Sequence, residues 1–214
     1  MQTKKKIKIC GLNSINQIEI AAKSGACWYG MIFYTKSPRN ISITKAKNLV
    51  KNSPENIIPV AVTVDAKISY ITEIYQTGIK TLQLHGNESP DYCKKIKNKL
   101  NPIIIKAISI REEKDLELVD KYKHFVDWII FDYKSDNVYG GSGKSFNWNI
   151  LKNKKFNFNW ILSGGLDYNN VVDAINLTGA NAVDVSSGVE GASGEKSLEL
   201  IQEFCKNVSE YSRN

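Results

Sequence analysis

Short apolar runs recur about every 25 residues along this chain, and each ends in glycine or polar residues. The stretches between them place apolar residues at helical spacing. The runs predict eight strands: Ile7–Gly11, Trp28–Tyr34, Ile58–Val64, Thr81–His85, Ile103–Ile108, Trp128–Asp132, Trp160–Ser163 and Ala182–Ser186. The intervening stretches predict eight helices: Ser14–Ser24, Ile43–Lys51, Ile68–Thr77, Pro90–Leu100, Glu112–Lys123, Asn147–Leu151, Tyr168–Asn176 and Ser197–Tyr211.

Two of these strands, at 103–105 and 128–131, are apolar without interruption. A strand of this kind is covered on both faces, which indicates a parallel sheet flanked by helices. Eight βα units without a linker or a shift in composition favour a closed barrel over an open doubly wound sheet. The sequence therefore predicts an α/β protein with a single (βα)8 TIM-barrel domain over residues 1–214, of short form and with an abbreviated sixth helix.

Helix boundaries are indicated by capping residues. The predicted start signals are Ser42, Thr44, Ser69, Ser89 and Ser197. The predicted stop signals are Gly25, Gly78 and Gly179.

The net charge of +7 comes from 29 lysines and arginines against 22 acidic residues. Only Arg39, Arg111 and Arg213 are arginines, and the lysines are spread along nearly the whole chain. Proteins that read nucleic acid concentrate their charge and use arginine for bidentate contacts. We therefore expect no nucleic-acid partner, and we expect the charge to attract an anionic substrate.

No apolar segment approaches the roughly 18–20 residues that span a bilayer, and no apolar stretch of a signal peptide follows the N-terminal lysines. We expect a cytoplasmic protein without a membrane partner. The four cysteines form no C-x-x-C pair, and there are two histidines. This pattern predicts neither a metal site nor a disulfide framework.

In a parallel barrel the active site lies at the carboxyl ends of the strands. Cys10 and Asp132 end two predicted strands. Apolar surroundings move the pKa of a carboxyl upward, towards the range of a general acid. The alternatives are a buried structural thiol for Cys10 and a salt-bridged or capping carboxylate for Asp132.

Other strand ends carry candidate binding groups. His85 is either a general base or a hydrogen-bonded wall residue. Arg39 either recognises a carboxylate or phosphate, or is a solvated loop charge. The glycine-rich loops after the seventh and eighth strands predict a phosphate site, with tight turns as the alternative. Their residues are Gly164 and Gly165, and Ser186, Ser187 and Gly188.

Six motifs occur in order along the chain: KICGL at 8–12, KSPR at 36–39, QLHGNE at 83–88, GGSGKSFNW at 140–148, LSGGL at 162–166 and VDVSSGVE at 183–190. With these motifs the sequence resembles the phosphoribosylanthranilate isomerase family from end to end. The resemblance implies an Amadori rearrangement in tryptophan biosynthesis without a cofactor. N-(5-phosphoribosyl)anthranilate becomes 1-(2-carboxyphenylamino)-1-deoxyribulose 5-phosphate.

The resemblance also implies residue roles. Asp132 is the general acid that protonates the ribose ring oxygen, and Cys10 is the general base that removes the C2 proton. A thiol near pKa 8.5 needs only modest lowering by positive charge for this task. Arg39 faces the anthranilate carboxylate. The implied substrate-binding residues also include Gln83, His85 and Asp184, and the phosphate ligands are Gly164, Gly165, Ser186, Ser187 and Gly188.

The expected partner is a small-molecule phosphosugar, and the protein is a monomer or a homodimer. Departures from the family pattern occur at Asn13, Cys27, Thr35, Ala61, Thr63 and Asn147, and none removes an implied acid, base or phosphate contact. One alternative is a related phosphosugar isomerase of histidine biosynthesis with paired aspartates, against which Cys10 argues. Another is a noncatalytic protein that binds phosphate ligands or nucleic acid, and its nucleic-acid binding would depend on salt.

Overall fold

Eight parallel strands pair in chain order, and the last returns to the first. The computed structural model describes residues 4–133 and 146–212. The strands are β1 (Lys6–Cys10), β2 (Trp28–Phe33), β3 (Ile58–Thr63), β4 (Thr81–Leu84), β5 (Ile103–Ile110), β6 (Trp128–Tyr133), β7 (Trp160–Leu162) and β8 (Ala182–Val185). They form a closed barrel, in which Lys8 of β1 is in register with Asp184 of β8. The predicted fold class is confirmed.

Helices connect the strands on the outside of the barrel. They are α1 (Ile15–Lys23), α2 (Ile43–Asn52), α3 (Ile68–Gln76), α4 (Pro90–Leu100), α5 (Leu118–Tyr122), α6 (Val171–Thr178) and α7 (Leu198–Tyr211). Short 3-10 turns occupy Glu113–Glu117, Trp148–Leu151 and Ser187–Val189. In the described part of the connection between β6 and β7, residues 146–159, the 3-10 turn is the only helical element, in agreement with the abbreviated helix that the sequence predicts.

Three of the five predicted start signals are helix N-caps. The hydroxyls of Ser42, Ser89 and Ser197 each accept a backbone N–H from the first turn of their helix. The predictions for Thr44 and Ser69 are wrong. Thr44 lies inside α2, which Ser42 caps, and α3 begins at Ile68 with Lys67 at the N-cap. Gly179 ends α6 in the left-handed region at φ 72°, where glycine carries no steric penalty.

The helices predicted at 112–123 and 168–176 both begin later than expected, because aspartate side chains hold local turns at their starts. The Asp115 carboxylate accepts the backbone N–H groups of Arg111 and Glu112, and this segment forms a 3-10 turn before α5 begins. The Asp167 carboxylate accepts the N–H groups of Asn169 and Asn170. This turn delays α6 until Val171.

The barrel interior is layered. A buried apolar cluster fills its amino-terminal part, with the members Trp28, Val60, Ile105, Ala107, Ile130, Ile161 and Ala182. Residues two positions further along a strand face the same side of the sheet. These include Val62, Asp132, Ser163 and Asp184, which line a cavity at the carboxyl ends of the strands. The apolar layer is therefore the floor of the polar site. Within the described residues, no helix is long and apolar enough to cross a membrane.

Candidate active site

A cavity at the carboxyl ends of the strands brings the two proposed catalytic residues together. Cys10 ends β1 and Asp132 lies near the end of β6, and each is only 6% exposed. Both side chains line this central cavity. Of the predicted site residues, the structure places seven on its wall: Cys10, Arg39, Gln83, His85, Asp132, Asp184 and Ser186.

The Asp132 carboxyl group is held by a chain of side chains. Its Oδ2 lies 3.1 Å from Nε2 of His85, and its Oδ1 accepts the N–H of Tyr133 at 2.8 Å. The amide nitrogen of Gln83 lies 2.8 Å from Nδ1 of His85. With the Gln83 amide in this orientation, Nδ1 of His85 is the acceptor. Nε2 therefore carries the ring proton and donates a hydrogen bond to Asp132. His85 therefore orients the carboxyl group.

A second carboxylate, Asp184, is paired with a lysine inside the barrel. Lys8 Nζ donates to Asp184 Oδ1 at 2.8 Å, and both residues are buried, with Lys8 fully inaccessible. Ser163 Oγ donates to the other carboxylate oxygen at 3.3 Å. Burial raises the pKa of Asp184, although Lys8 opposes the rise. Burial also opposes the charge of Lys8, but Asp184 and Cys10 outweigh it and raise the pKa of this lysine.

The pKa of the Cys10 thiol is shifted in the opposite direction from the one that the sequence suggested. Burial raises its pKa above the ordinary thiol value, and the nearby ammonium groups of Lys8 and Lys196 only partly offset this. The expected modest lowering is thus not what the protein without substrate shows. Gly30 of β2 lies against the sulfur, because a Cβ at Gly30 would stand 2.8 Å from Cys10 Sγ and 3.3 Å from Lys8 Nζ. The absence of a side chain there gives both groups their space.

Arg39 is engaged by an acidic partner. Its Nε and Nη2 each donate to Glu190 at 2.6 Å, in a bidentate pair between the loops after β2 and β8. Lys196 Nζ donates to the same carboxylate at 2.6 Å and to the carbonyl of Ser186 at 2.8 Å. Arg39 is therefore part of an ion cluster and not a solvated loop charge.

The predicted phosphate residues lie in two adjoining loops at the same end of the barrel. Gly164 and Gly165 have positive φ angles of 85° and 72°. A Cβ at Gly188 would stand 2.0 Å from the Leu166 carbonyl oxygen, so the loops after β7 and β8 pack directly on each other. Among the residues that the structure describes, the N–H groups of Gly164 and Gly165 have no acceptor. Backbone donors of this kind suit an anion.

Four residues of this end of the barrel were missed by sequence reasoning: Lys8, Gly30, Glu190 and Lys196. Two carried a readable signal, since Lys8 lies between two isoleucines in Lys6–Cys10 and Gly30 interrupts the apolar strand Trp28–Phe33. Most of the motif at 140–148 lies outside the described residues. Over 4–133 and 146–212, no group of three or more His, Cys, Asp or Glu residues is arranged to hold a metal ion.

The closed barrel of eight parallel strands, with a cavity at their carboxyl ends, has the architecture of a (βα)8-barrel enzyme. The family model described as N-(5'phosphoribosyl)anthranilate (PRA) isomerase matches residues 7–207, and the chain belongs to this family. An N-(5'-phosphoribosyl)anthranilate isomerase of Brucella canis is 40% identical over 208 residues, which is 95% of this chain and 94% of the relative.

Solved structures of the family share the fold. The phosphoribosyl anthranilate isomerase of Thermotoga maritima matches with a TM-score of 0.86 and 33% identity, over 95% of this chain and 98% of that one. Another phosphoribosyl anthranilate isomerase matches with a TM-score of 0.81 and 31% identity, over the same shares of both chains. That protein is in complex with reduced 1-(o-carboxyphenylamino)-1-deoxyribulose 5-phosphate.

Proposed function

We propose that this chain converts N-(5-phosphoribosyl)anthranilate into 1-(2-carboxyphenylamino)-1-deoxyribulose 5-phosphate, with Asp132 as general acid and Cys10 as general base. Membership of the isomerase family supports the reaction. The observation that carries the residue assignment is that the buried Asp132 carboxyl and the buried Cys10 thiol line one cavity. An acid and a base held apart on β6 and β1 can act on different atoms of one substrate.

In the first step, the Asp132 carboxyl group protonates the ribose ring oxygen. The bond between C1 and that oxygen breaks, and the nitrogen lone pair forms the C1=N bond of a Schiff base. His85 and the Tyr133 N–H hold the two carboxyl oxygens at 3.1 and 2.8 Å, so the acid enters this step already oriented. His85 therefore acts as a positioning residue, and Gln83 fixes its ring.

In the second step, the Cys10 thiolate removes the proton from C2. The electron pair of the C2–H bond forms the C1=C2 bond, and the C1=N pair returns to the nitrogen to give an enolamine. This enolamine then tautomerises to the ketone. Because burial raises the pKa of Cys10, the thiolate is a strong base but a minor species in the protein without substrate.

Asp184 is a poor candidate for the base, although it lies on the same cavity. The Lys8 ammonium group holds its carboxylate at 2.8 Å inside the barrel. This pairing supports a cysteine base over the paired aspartates of the alternative isomerase. We assign Asp184 a place beside the reacting sugar.

The remaining groups bind the two ends of the substrate. Arg39 faces the anthranilate carboxylate, for which its planar guanidinium is suited. The loops after β7 and β8 hold the phosphate through Gly164, Gly165, Ser186, Ser187 and Gly188. Gly164 also lets the loop after β7 lie close to the proposed acid, since a Cβ at Gly164 would stand 3.2 Å from Asp132 Oδ1.

All of the proposed residues come from one chain, so a monomer and a homodimer would each contain complete sites. We propose one catalytic domain, a free phosphosugar substrate, no cofactor and a cytoplasmic location. The scattered lysines support the absence of a nucleic-acid partner. Turnover should accordingly be unchanged when duplex DNA is added at low salt.

The test is the loss of substrate fluorescence in freshly made N-(5-phosphoribosyl)anthranilate. Cys10→Ala and Asp132→Asn should each lower kcat by about 10²–10⁴-fold, the usual contribution of a general acid or base. Cys205→Ala, which removes a buried thiol from α7, and Asp173→Asn, at an exposed position of α6, serve as controls. Wild-type turnover by a folded Cys10→Ala protein would refute the assignment of the base.

A further inference from the structure

Glu190 and Lys196 belong to the ion cluster around Arg39, and the proposed reaction assigns neither of them a role. The Glu190 carboxylate takes two of the five N–H donors of Arg39, through Nε and Nη2. Three donors of the guanidinium remain outside this pair, two on Nη1 and one on Nη2. Because Arg39 also lines the central cavity beside Cys10, a ligand carboxylate can approach the same guanidinium from there.

Lys196 holds the same carboxylate of Glu190. Its Nζ lies 2.6 Å from Glu190 Oε1 and 2.8 Å from the carbonyl oxygen of Ser186, and its side chain is only 3% exposed. Ser186 Oγ in turn donates to the carbonyl of Cys10 at 3.2 Å. The Glu190 carboxylate is thus fixed to the loop after β8 and, through Ser186, to the end of β1.

The electrostatics of the cluster favour an anionic ligand. Burial by itself would raise the pKa of Glu190, but hydrogen bonds from Arg39 and Lys196 outweigh it and lower the pKa. Two cations and one carboxylate leave a net charge of +1. Glu190 therefore orders Arg39 without cancelling the positive charge that a substrate carboxylate would meet.

Gly11 provides the space for this arrangement. It follows Cys10 directly, has φ +83°, and a Cβ there would stand 2.9 Å from Arg39 Cδ and 3.4 Å from Lys196 Cε. Both cationic side chains therefore cross the backbone immediately beyond the proposed base. The cluster is packed against the active site and is not an isolated surface pair.

We propose that Glu190, anchored by Lys196, is a positioning residue that holds Arg39 ready for the aromatic carboxylate of the substrate and so makes the enzyme selective for a carboxylated ring. The inference rests on the proposed function, in which Arg39 receives this carboxylate. A long arginine side chain loses rotamer freedom when it binds an anion. The bidentate pair fixes those rotamers in the free protein, so less entropy is lost when the carboxylate binds.

The test compares two ligands by titration calorimetry. One is reduced 1-(o-carboxyphenylamino)-1-deoxyribulose 5-phosphate, and the other is the same compound without the ring carboxyl group. The wild-type protein should prefer the carboxylated ligand. Glu190→Gln should reduce this preference about tenfold and leave the affinity for the carboxyl-free ligand unchanged. Lys196→Met should act in the same direction.

Matched variants separate positioning from a structural role. Glu195→Gln removes an exposed carboxylate from the same loop and should keep the wild-type preference. Glu190→Asp keeps the charge but shortens the reach, and its preference should lie between those of the wild type and Glu190→Gln; it also serves as the probe if Glu190→Gln does not fold. If Glu190→Gln lowers the affinity for both ligands equally, or changes neither affinity, Glu190 only joins two loops and the proposal is overturned.

Arg39→Ala distinguishes this inference from the proposed function. If Arg39→Ala abolishes the preference and Glu190→Gln does not, the role of Glu190 is wrong while the role of Arg39 stands. If Arg39→Ala keeps the preference, the assignment of Arg39 in the proposed function fails, and the inference fails with it. In the Arg39→Ala background, Glu190→Gln should have no further effect on the preference.

Discussion

The space at Gly30 of β2 should control the position of the proposed base. In Gly30→Ala the new Cβ would stand 2.8 Å from Cys10 Sγ and 3.2 Å from Cys10 Cα. Ordinary contact with a Cβ begins at 3.4 Å, so the sulfur must move by about 0.6 Å unless the strands separate. Overpacking of this kind costs about 1–3 kcal/mol in the free energy of unfolding.

The displacement also sets the expected loss of activity. A misplacement of about 1 Å can lower a rate by about 10²-fold, so 0.6 Å scales to about 15-fold in kcat. We expect this loss with little change in KM, because no proposed phosphate or carboxylate contact is altered. Substrate fluorescence gives kcat and KM, and urea denaturation gives the free energy of unfolding.

Gly191→Ala is the matched control. Gly191 lies in the exposed loop after β8, and a Cβ there would come no closer than 4.0 Å to its nearest neighbour, the Glu195 carbonyl oxygen. It should keep wild-type kcat. The argument would be refuted if Gly30→Ala folded and turned over at a rate within twofold of the wild type.

Two further predictions concern stability and pH. Lys8→Met leaves Asp184 buried without its cation and should cost about 3–5 kcal/mol in the free energy of unfolding, against little change for the exposed Lys94→Met. Because burial raises the pKa of Asp184 in the folded state, that variant should lose further stability as pH rises from acid to neutral; urea denaturation at pH 5 and pH 8 tests the sign. The pKa of Glu190 is lowered in the folded state, so its carboxylate stabilises the protein above the ordinary glutamate pKa of about 4.3, and this contribution is lost as pH falls through the lower folded value. The difference in Tm between the wild type and Glu190→Gln should therefore close in acid, and a constant difference from pH 7 to pH 3 would contradict this reasoning.

The alternation of apolar strands and amphipathic helices was sufficient to predict the barrel. In a parallel barrel all carboxyl ends of the strands meet at one end, so residues at strand ends converge however far apart they lie in the chain. Cys10 and Asp132 could be selected for this reason before any distance was known. Exact helix limits were less predictable, because side chains such as Asp115 and Asp167 hold local turns that compete with the helix.

The partners of the site residues depended on tertiary structure. The Lys8–Asp184 pair joins residues 176 positions apart, and the Arg39–Glu190 pair joins residues 151 apart. Pairing of β8 with β1 closes the barrel and brings the residues of both pairs together. No local pattern in the sequence specifies which charged side chains then meet. The pKa of Cys10 was decided in the same way, because desolvation depends on the atoms that surround the sulfur and not on its neighbours in the chain. The sequence by itself determined the barrel and the end at which the chemistry lies, since periodicity and strand polarity are local properties. The contacts that tune the acid, the base and the arginine were decided only by the folded structure, since they depend on distances across the barrel.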